Sequence, residues 1–202
     1  IPFKKELATT IARNESGQIE IFPIVEMDFN KTSNQVEYVI CPAQINNDLK
    51  VIAKDIALKV SKSFKHVGLL AVEMFLTNDN SILVNEVAPR PHNSAHYTIE
   101  ACSSSQFDQH INSILNLPLG CSKSFIYAIM ANLVGSEGSV GQVCYEGIEE
   151  AMKIDNVKIH LYGKPQTKPN RKMGHATIID TDLNKGIEKA KKVKKLIQIK
   201  TK

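Results

Sequence analysis

A chain of 202 residues, 43% hydrophobic and 23% charged, has apolar material for one good-sized core or two small ones. No apolar run approaches the length of a membrane span, and much of the +4 net charge lies in the lysine-rich tail, residues 185–202, with no aromatic-interleaved basic patch to suit nucleic acid. Cys41, Cys102, Cys121 and Cys144 are widely spaced with no C-x-x-C, which argues against zinc and fits reduced thiols in a cytoplasm.

Taken in order, the chain first predicts two β-rich runs, 7–13 and 19–25, joined by a turn at 14–17. A strand over 36–41 follows. Leu49, Ile52, Ile56, Val60 and Phe64 then recur at three- and four-residue steps, predicting a helix over 46–65 that stops at Gly68. Two apolar runs, 69–76 and 82–87, flank Asn78-Asp79-Asn80, a polar turn that folds them into a hairpin. A second helix is expected over 103–117, with Phe107, Ile111, Ile114 and Leu115 as its apolar stripe and His110 in a structural role. Pro118-Leu119-Gly120 marks an expected domain boundary, giving units 1–118 and 119–202. Beyond it the pattern reads as a strand over 125–134, a short helix over 143–152, strands over 157–162 and 175–180, and an amphipathic helix over 182–199.

Chemistry concentrates in the hairpin. Glu73 sits in its first run and Glu86 ends its second. Set across from each other, two carboxylates and the amide oxygen of Asn85 make a hard oxygen site suited to Mg²⁺ carrying substrate phosphates. Arg90, His92, Asn93 and Ser94 follow at once, between prolines that keep the backbone extended. Such a layout suits phosphoryl transfer onto an anionic substrate. A second polar cluster is the loop carrying Lys164, Lys168, Arg171 and Lys172, rigidified by Pro165 and Pro169. Its cations suit a phosphate monoester, although a solvated basic loop has the same composition.

The segment NEVAPRPHNSAHYTIEACSSSQFDQH closely resembles the signature of the 5-(carboxyamino)imidazole ribonucleotide synthetases, the PurK-type ATP-grasp ligases of purine biosynthesis. The Glu…Asn-Glu pair is shared across ATP-grasp enzymes, whereas the Arg-Pro-His-Asn-Ser continuation is more restricted. The resemblance implies an α+β fold, the second half of an ATP-grasp domain followed by a small β-rich domain. It begins partway through the family's pattern, so the chain is expected to be the carboxy-terminal part of a longer enzyme, binding ATP weakly and turning over nothing by itself. It further implies ATP- and bicarbonate-dependent carboxylation of 5-aminoimidazole ribonucleotide through carboxyphosphate, with Glu73 and Glu86 on Mg²⁺. Asn85, Glu86, Ile1 and Glu6 fall at nucleotide-binding positions, Glu6 matching the acidic residue on the ATP ribose. Phe29 stands where relatives carry a histidine near the nucleotide. Arg90, His92 and Asn93 would serve the carboxyphosphate step. Ser94, Lys164, Arg171 and Lys172 would bind the ribonucleotide, and the 164–172 loop is expected to face Arg90 and His92. A cytoplasmic homodimer is the expected assembly. Rival readings are another ATP-grasp ligase, or a non-catalytic binding module derived from the fold.

Overall fold

A turn built by Asn14 folds β1 (Phe3–Arg13) onto β2 (Ile19–Ile21): its side-chain oxygen accepts from the Gln18 amide at 2.8 Å, and Gly17 supplies a φ of 87°. The computed structural model describes residues 1–30 and 32–202, which fall into two units, 1–28 with 40–125 and 29–39 with 126–202. The run expected as one strand over 19–25 is broken. Pro23 has no amide for the ladder, so β2 stops at Ile21 and β3 (Val25–Asn30) starts beyond it. β4 spans Gln35–Cys41.

Helix α1 (Asn47–Phe64) is capped by Asn46, whose side chain accepts from the Leu49 amide at 2.8 Å. Its buried face is Leu49, Ala53, Ala57 and Ser61, while Ile52 and Phe64 of the expected stripe are exposed. Small residues let the helix lie close to Leu7, Ile11, Leu70, Val72 and Met74 of the sheet, and that contact turns the stripe aside. The helix ends at Lys65 in the left-handed conformation rather than at Gly68, which opens β5 (Gly68–Thr77). A Cβ on Gly68 would stand 3.3 Å from the His110 ring, a packing role for that histidine.

β5 and β6 (Ile82–Ala88) form the expected hairpin, with Asn80 at φ 65° in its turn. In the first unit the strand order is β6-β5-β1-β3, with β2 paired to β1, and the registers are antiparallel. After β6 come a 3-10 turn at Asn93–Ala95, α2 (Thr98–Ala101) and α3 (Gln106–Ile114). Ser105 and Asp108 close a reciprocal capping box on α3. Its expected apolar stripe faces outward: Phe107, Ile111, Ile114 and Leu115 are exposed, whereas Gln106, Gln109 and Ser113 are buried. The polar face goes inward because backbone groups wait for it there. The Gln109 amide donates to the Gly120 carbonyl and accepts from the Gly120 N–H.

In the second unit β7 (Tyr127–Val134) begins the expected strand. The expected helix over 143–152 is instead β8 (Gly141–Glu146) followed by α4 (Ile148–Met152). Gly147 separates them at φ 74°, where a Cβ would collide with the Leu196 carbonyl. β9 (Val157–Leu161), β10 (Gln166–Thr167) and β11 (Lys172–Asp180) follow, then α5 (Leu183–Leu196), capped by Asp182. Gly186, Ala190 and Val193 form the buried face of α5. The chain closes with β12 (Gln198–Thr201), whose first two residues fall inside the helix expected over 182–199. The unit's main sheet runs β4-β7-β11-β9, and β10-β8-β12 form a second, three-stranded sheet. The antiparallel mixture of strands and helices is the expected class.

Candidate functional site

Glu73 and Glu86 are direct partners in the β5–β6 register. Partners in an antiparallel pair point to one face, with Cβ atoms about 5 Å apart. The register then jumps, Met74 pairing with Val84, so Asn85 is the extra residue of a β-bulge and both Asn85 and Glu86 oppose Glu73. This bulge sets Asn85 beside Glu86 on the strand that faces Glu73. Asn85 and Glu86 are exposed, whereas Glu73 keeps only 16% of its side chain open.

The same face carries Glu6. Glu73 is opposite Ala8 of β1, and Glu6 lies two residues along that strand, opposite Phe75. Leu7, Ile11, Val72 and Met74, the alternate residues, point the other way into the core with α1. The strands therefore present one apolar face to a helix and one acidic face. Partial burial raises the Glu6 carboxyl above its ordinary value.

His92 joins this face, its Nε2 3.5 Å from Glu73 Oε1. The other ring nitrogen, Nδ1, is 2.9 Å from Ser94 Oγ, so the imidazole is held at both ends. Gln106 fixes the backbone beneath. It accepts from the His92 amide at 2.8 Å, donates to the His92 carbonyl at 3.0 Å and lies 2.9 Å from His96 Nδ1, with no exposure to solvent. Sequence reasoning passed over Gln106 because nothing local marks a glutamine as a clamp for a loop before it. Arg90 is exposed, its guanidinium donating to the Pro91 carbonyl at 3.1 Å. Asn93 begins the 3-10 turn and Ser94 is buried within it.

The remaining expected site residues lie at residue 1 and in the second unit. Ile1 is 75% exposed, and Phe29 lies in the second unit, half-buried. Lys164 and Arg171 lie between β9 and β11 of that unit, and Lys172 opens β11. Lys164 Nζ donates to the Lys172 carbonyl, and the Arg171 guanidinium donates to the Gln166 carbonyl at 3.1 Å. A cavity of about 620 Å³ in the same unit, bounded by Asn132, Asn170 and Lys194, is lined by none of the expected site residues. The cysteines are free, and burial pushes the Cys41 and Cys102 thiols up to about 12, which makes them poor nucleophiles.

Among the described residues no three His, Cys, Asp or Glu side chains form a metal cluster. Two carboxylates and an amide oxygen still suit Mg²⁺, which is commonly held by one or two carboxylates together with substrate phosphates.

The ATP-grasp domain model matches residues 1–107, more than half of the chain. The chain belongs to the ATP-grasp family. Residues 128–189 match the phosphoribosylaminoimidazole carboxylase C-terminal domain, so the 5-(carboxyamino)imidazole ribonucleotide synthetase branch indicated by the sequence is the right one. The N5-carboxyaminoimidazole ribonucleotide synthase of Bacillus subtilis is 41% identical over 180 residues, 89% of this chain and 45% of that protein. The chloroplastic phosphoribosylaminoimidazole carboxylase of Vigna aconitifolia is 42% identical over 91% of this chain and 33% of its own length. The crystal structure of the Thermotoga maritima synthetase superposes with a TM-score of 0.92 at 48% identity, covering all of this chain and 54% of the other. The Aspergillus clavatus synthase, solved with ADP and 5-aminoimidazole ribonucleotide, gives 0.84 at 34% identity over 95% of this chain and 51% of the other. This ATP-grasp chain thus spans a third to a half of the length of the curated relatives it matches. None of its described helices is long and apolar enough to cross a membrane.

Proposed function

We propose that this chain supplies the phosphoryl-transfer face of an ATP- and bicarbonate-dependent ligase that carboxylates 5-aminoimidazole ribonucleotide. The observation that carries this reading is the Glu73–Glu86 pair with Asn85 on its bulge and His92 docked against Glu73. The relatives named for the same reaction, and one solved with ADP and the ribonucleotide, support it.

Bound Mg²⁺ would neutralise charge on the ATP phosphates. Glu73, Glu86 and Asn85 would hold it, and Glu6 would accept hydrogen bonds from the ribose. Bicarbonate oxygen attacks the γ-phosphorus as the bond to ADP breaks, giving carboxyphosphate. Arg90 and Asn93 steady the bicarbonate and carboxyphosphate oxygens. His92, held between Glu73 and Ser94, donates a hydrogen bond or carries a proton at Nε2. Carboxyphosphate then releases phosphate and carbon dioxide, and the ribonucleotide's exocyclic amine takes up the carbon dioxide while losing a proton. No covalent enzyme intermediate is needed. Ser94, Lys164, Arg171 and Lys172 bind the ribonucleotide, the loop cations taking its phosphate. The enzyme works in the cytoplasm as a homodimer, a part of the reading that rests on the resemblance.

The test is phosphate release by an enzyme carrying these residues, with bicarbonate, with and without the ribonucleotide. Arg171→Ala should raise the KM for the ribonucleotide far more than that for ATP. Equal effects on both substrates would refute the loop assignment.

A further inference from the structure

Behind the loop cations assigned above stand His160, Tyr162 and His175, to which the reaction gives no role. The pairing of β9 with β11 sets His160 opposite His175, and their rings stack at 4.5 Å with a 14° interplanar angle. Alternation along the strand brings Tyr162 to the same face as His160. Its hydroxyl lies 3.0 Å from His175 Nδ1, so the two side chains share a hydrogen bond. Two residues further, Lys164 Nζ lies over the Tyr162 ring, 5.4 Å from the centroid, and donates to the Lys172 carbonyl.

We propose that Tyr162 and His175 are positioning residues that hold the Lys164 ammonium ready for the phosphate of a sugar-phosphate ligand. The ligand class rests on the reading of the 164–172 loop given above.

The physical reason is preorganisation. Lysine is a point charge on four flexible carbons, and ordering it during binding weakens the complex. Here the ring face attracts the ammonium and the Lys172 carbonyl takes one of its three protons, leaving two for phosphate oxygens. The ring cannot wander, because its hydroxyl is tied to an imidazole only 2% exposed and stacked on a second one. The bond to His175 thus acts through Tyr162 on Lys164.

The experiment uses the 202-residue chain, with ribose 5-phosphate as probe and ADP as reference. Lys164 side-chain protons are followed by NMR, and amide spectra confirm folding. In the wild type the Lys164 ε-methylene protons should be shifted upfield by the ring. Tyr162→Leu should abolish that shift and weaken ribose 5-phosphate binding about five- to tenfold. Tyr162→Phe keeps the ring but loses the bond to His175, so it should retain an upfield shift with broadened Lys164 signals and an affinity between those of the wild type and Tyr162→Leu, and His175→Gln should do the same. Lys164→Ala should cost as much as Tyr162→Leu, and the double variant no more than either, with ADP binding unchanged throughout. An unshifted Lys164 signal in the wild type, or losses that multiply in the double variant, would overturn the positioning role. Ring-shifted Lys164 protons together with full ribose 5-phosphate affinity in Lys164→Ala would instead sink the loop assignment, and with it the ligand named here.

Discussion

His92 Nε2 lies 3.5 Å from Glu73 Oε1, which ties the loop after β6 to the middle of β5. The tie depends on Gln106, because that side chain holds both backbone groups of His92. Gln106→Leu keeps the volume but removes the side-chain partner of a part-buried amide and carbonyl. Such a group costs about 1–3 kcal/mol when fully buried, and with both groups partly open to water the substitution should destabilise the chain by about 2–4 kcal/mol in urea unfolding. A Gln106→Leu chain as stable as the wild type would show that water replaces the clamp.

Glu86→Gln bears on the acidic face. Glu86 is exposed, so the swap should move the melting temperature by no more than about 1 °C. Phosphate release in an enzyme carrying the change should nevertheless fall by a hundredfold or more, about 3 kcal/mol of lost charge stabilisation. Full turnover with Gln at this position would remove Glu86 from the metal set.

The contrast between these two positions shows what is legible in a sequence. Glu73, Glu86 and the polar turn between their strands are local, and a hairpin with period-two alternation announces itself. The bulge at Asn85 leaves no mark, since one extra residue in a strand has no compositional trace. Gln106, buried by partners fourteen residues away in sequence, is equally silent. The helix stripes misled for a different reason. On α1 the close approach to the sheet selects Ala53 and Ala57 over Ile52, and on α3 satisfied glutamines outcompete Phe107 and Ile111 for the inside. β12 escaped because Val193, Leu196 and Ile197 carry the helix's apolar spacing up to its first residue, so nothing local marks where the helix stops.

The inverted α3 is open to a direct check. Ile111→Lys and Ile114→Glu alter side chains that are 50% and 51% exposed, so each should change the stability of this chain by less than about 0.5 kcal/mol. Ser113→Val removes a buried hydroxyl that donates to the Gln109 carbonyl at 2.6 Å, and it should cost about 1–2 kcal/mol. The reverse order, measured by chemical unfolding, would restore the apolar stripe as the packed face.

The last expectation concerns acid. Asp180 ends β11, where one carboxylate oxygen accepts from Lys189 at 2.7 Å and the other from the Asp182 amide at 3.0 Å. The lysine hydrogen bond, aided by the backbone donor, holds the carboxyl below its ordinary value despite some desolvation. A carboxyl more acidic in the folded than in the unfolded chain binds fewer protons when folded. Its stabilisation is therefore complete above the unfolded value, near 4, and fades as pH falls through the lower folded value. With Lys189 partly open to solvent, the contribution should be about 0.5–1 kcal/mol. Asp180→Asn should be less stable than the wild type by that amount at pH 7, with the gap closing below about pH 4. Raising the salt concentration at pH 7 should narrow it as well. A difference between the two chains that stays constant from pH 7 to pH 2.5 would mean that the Asn substitution acts through packing at the strand end and not through the charge.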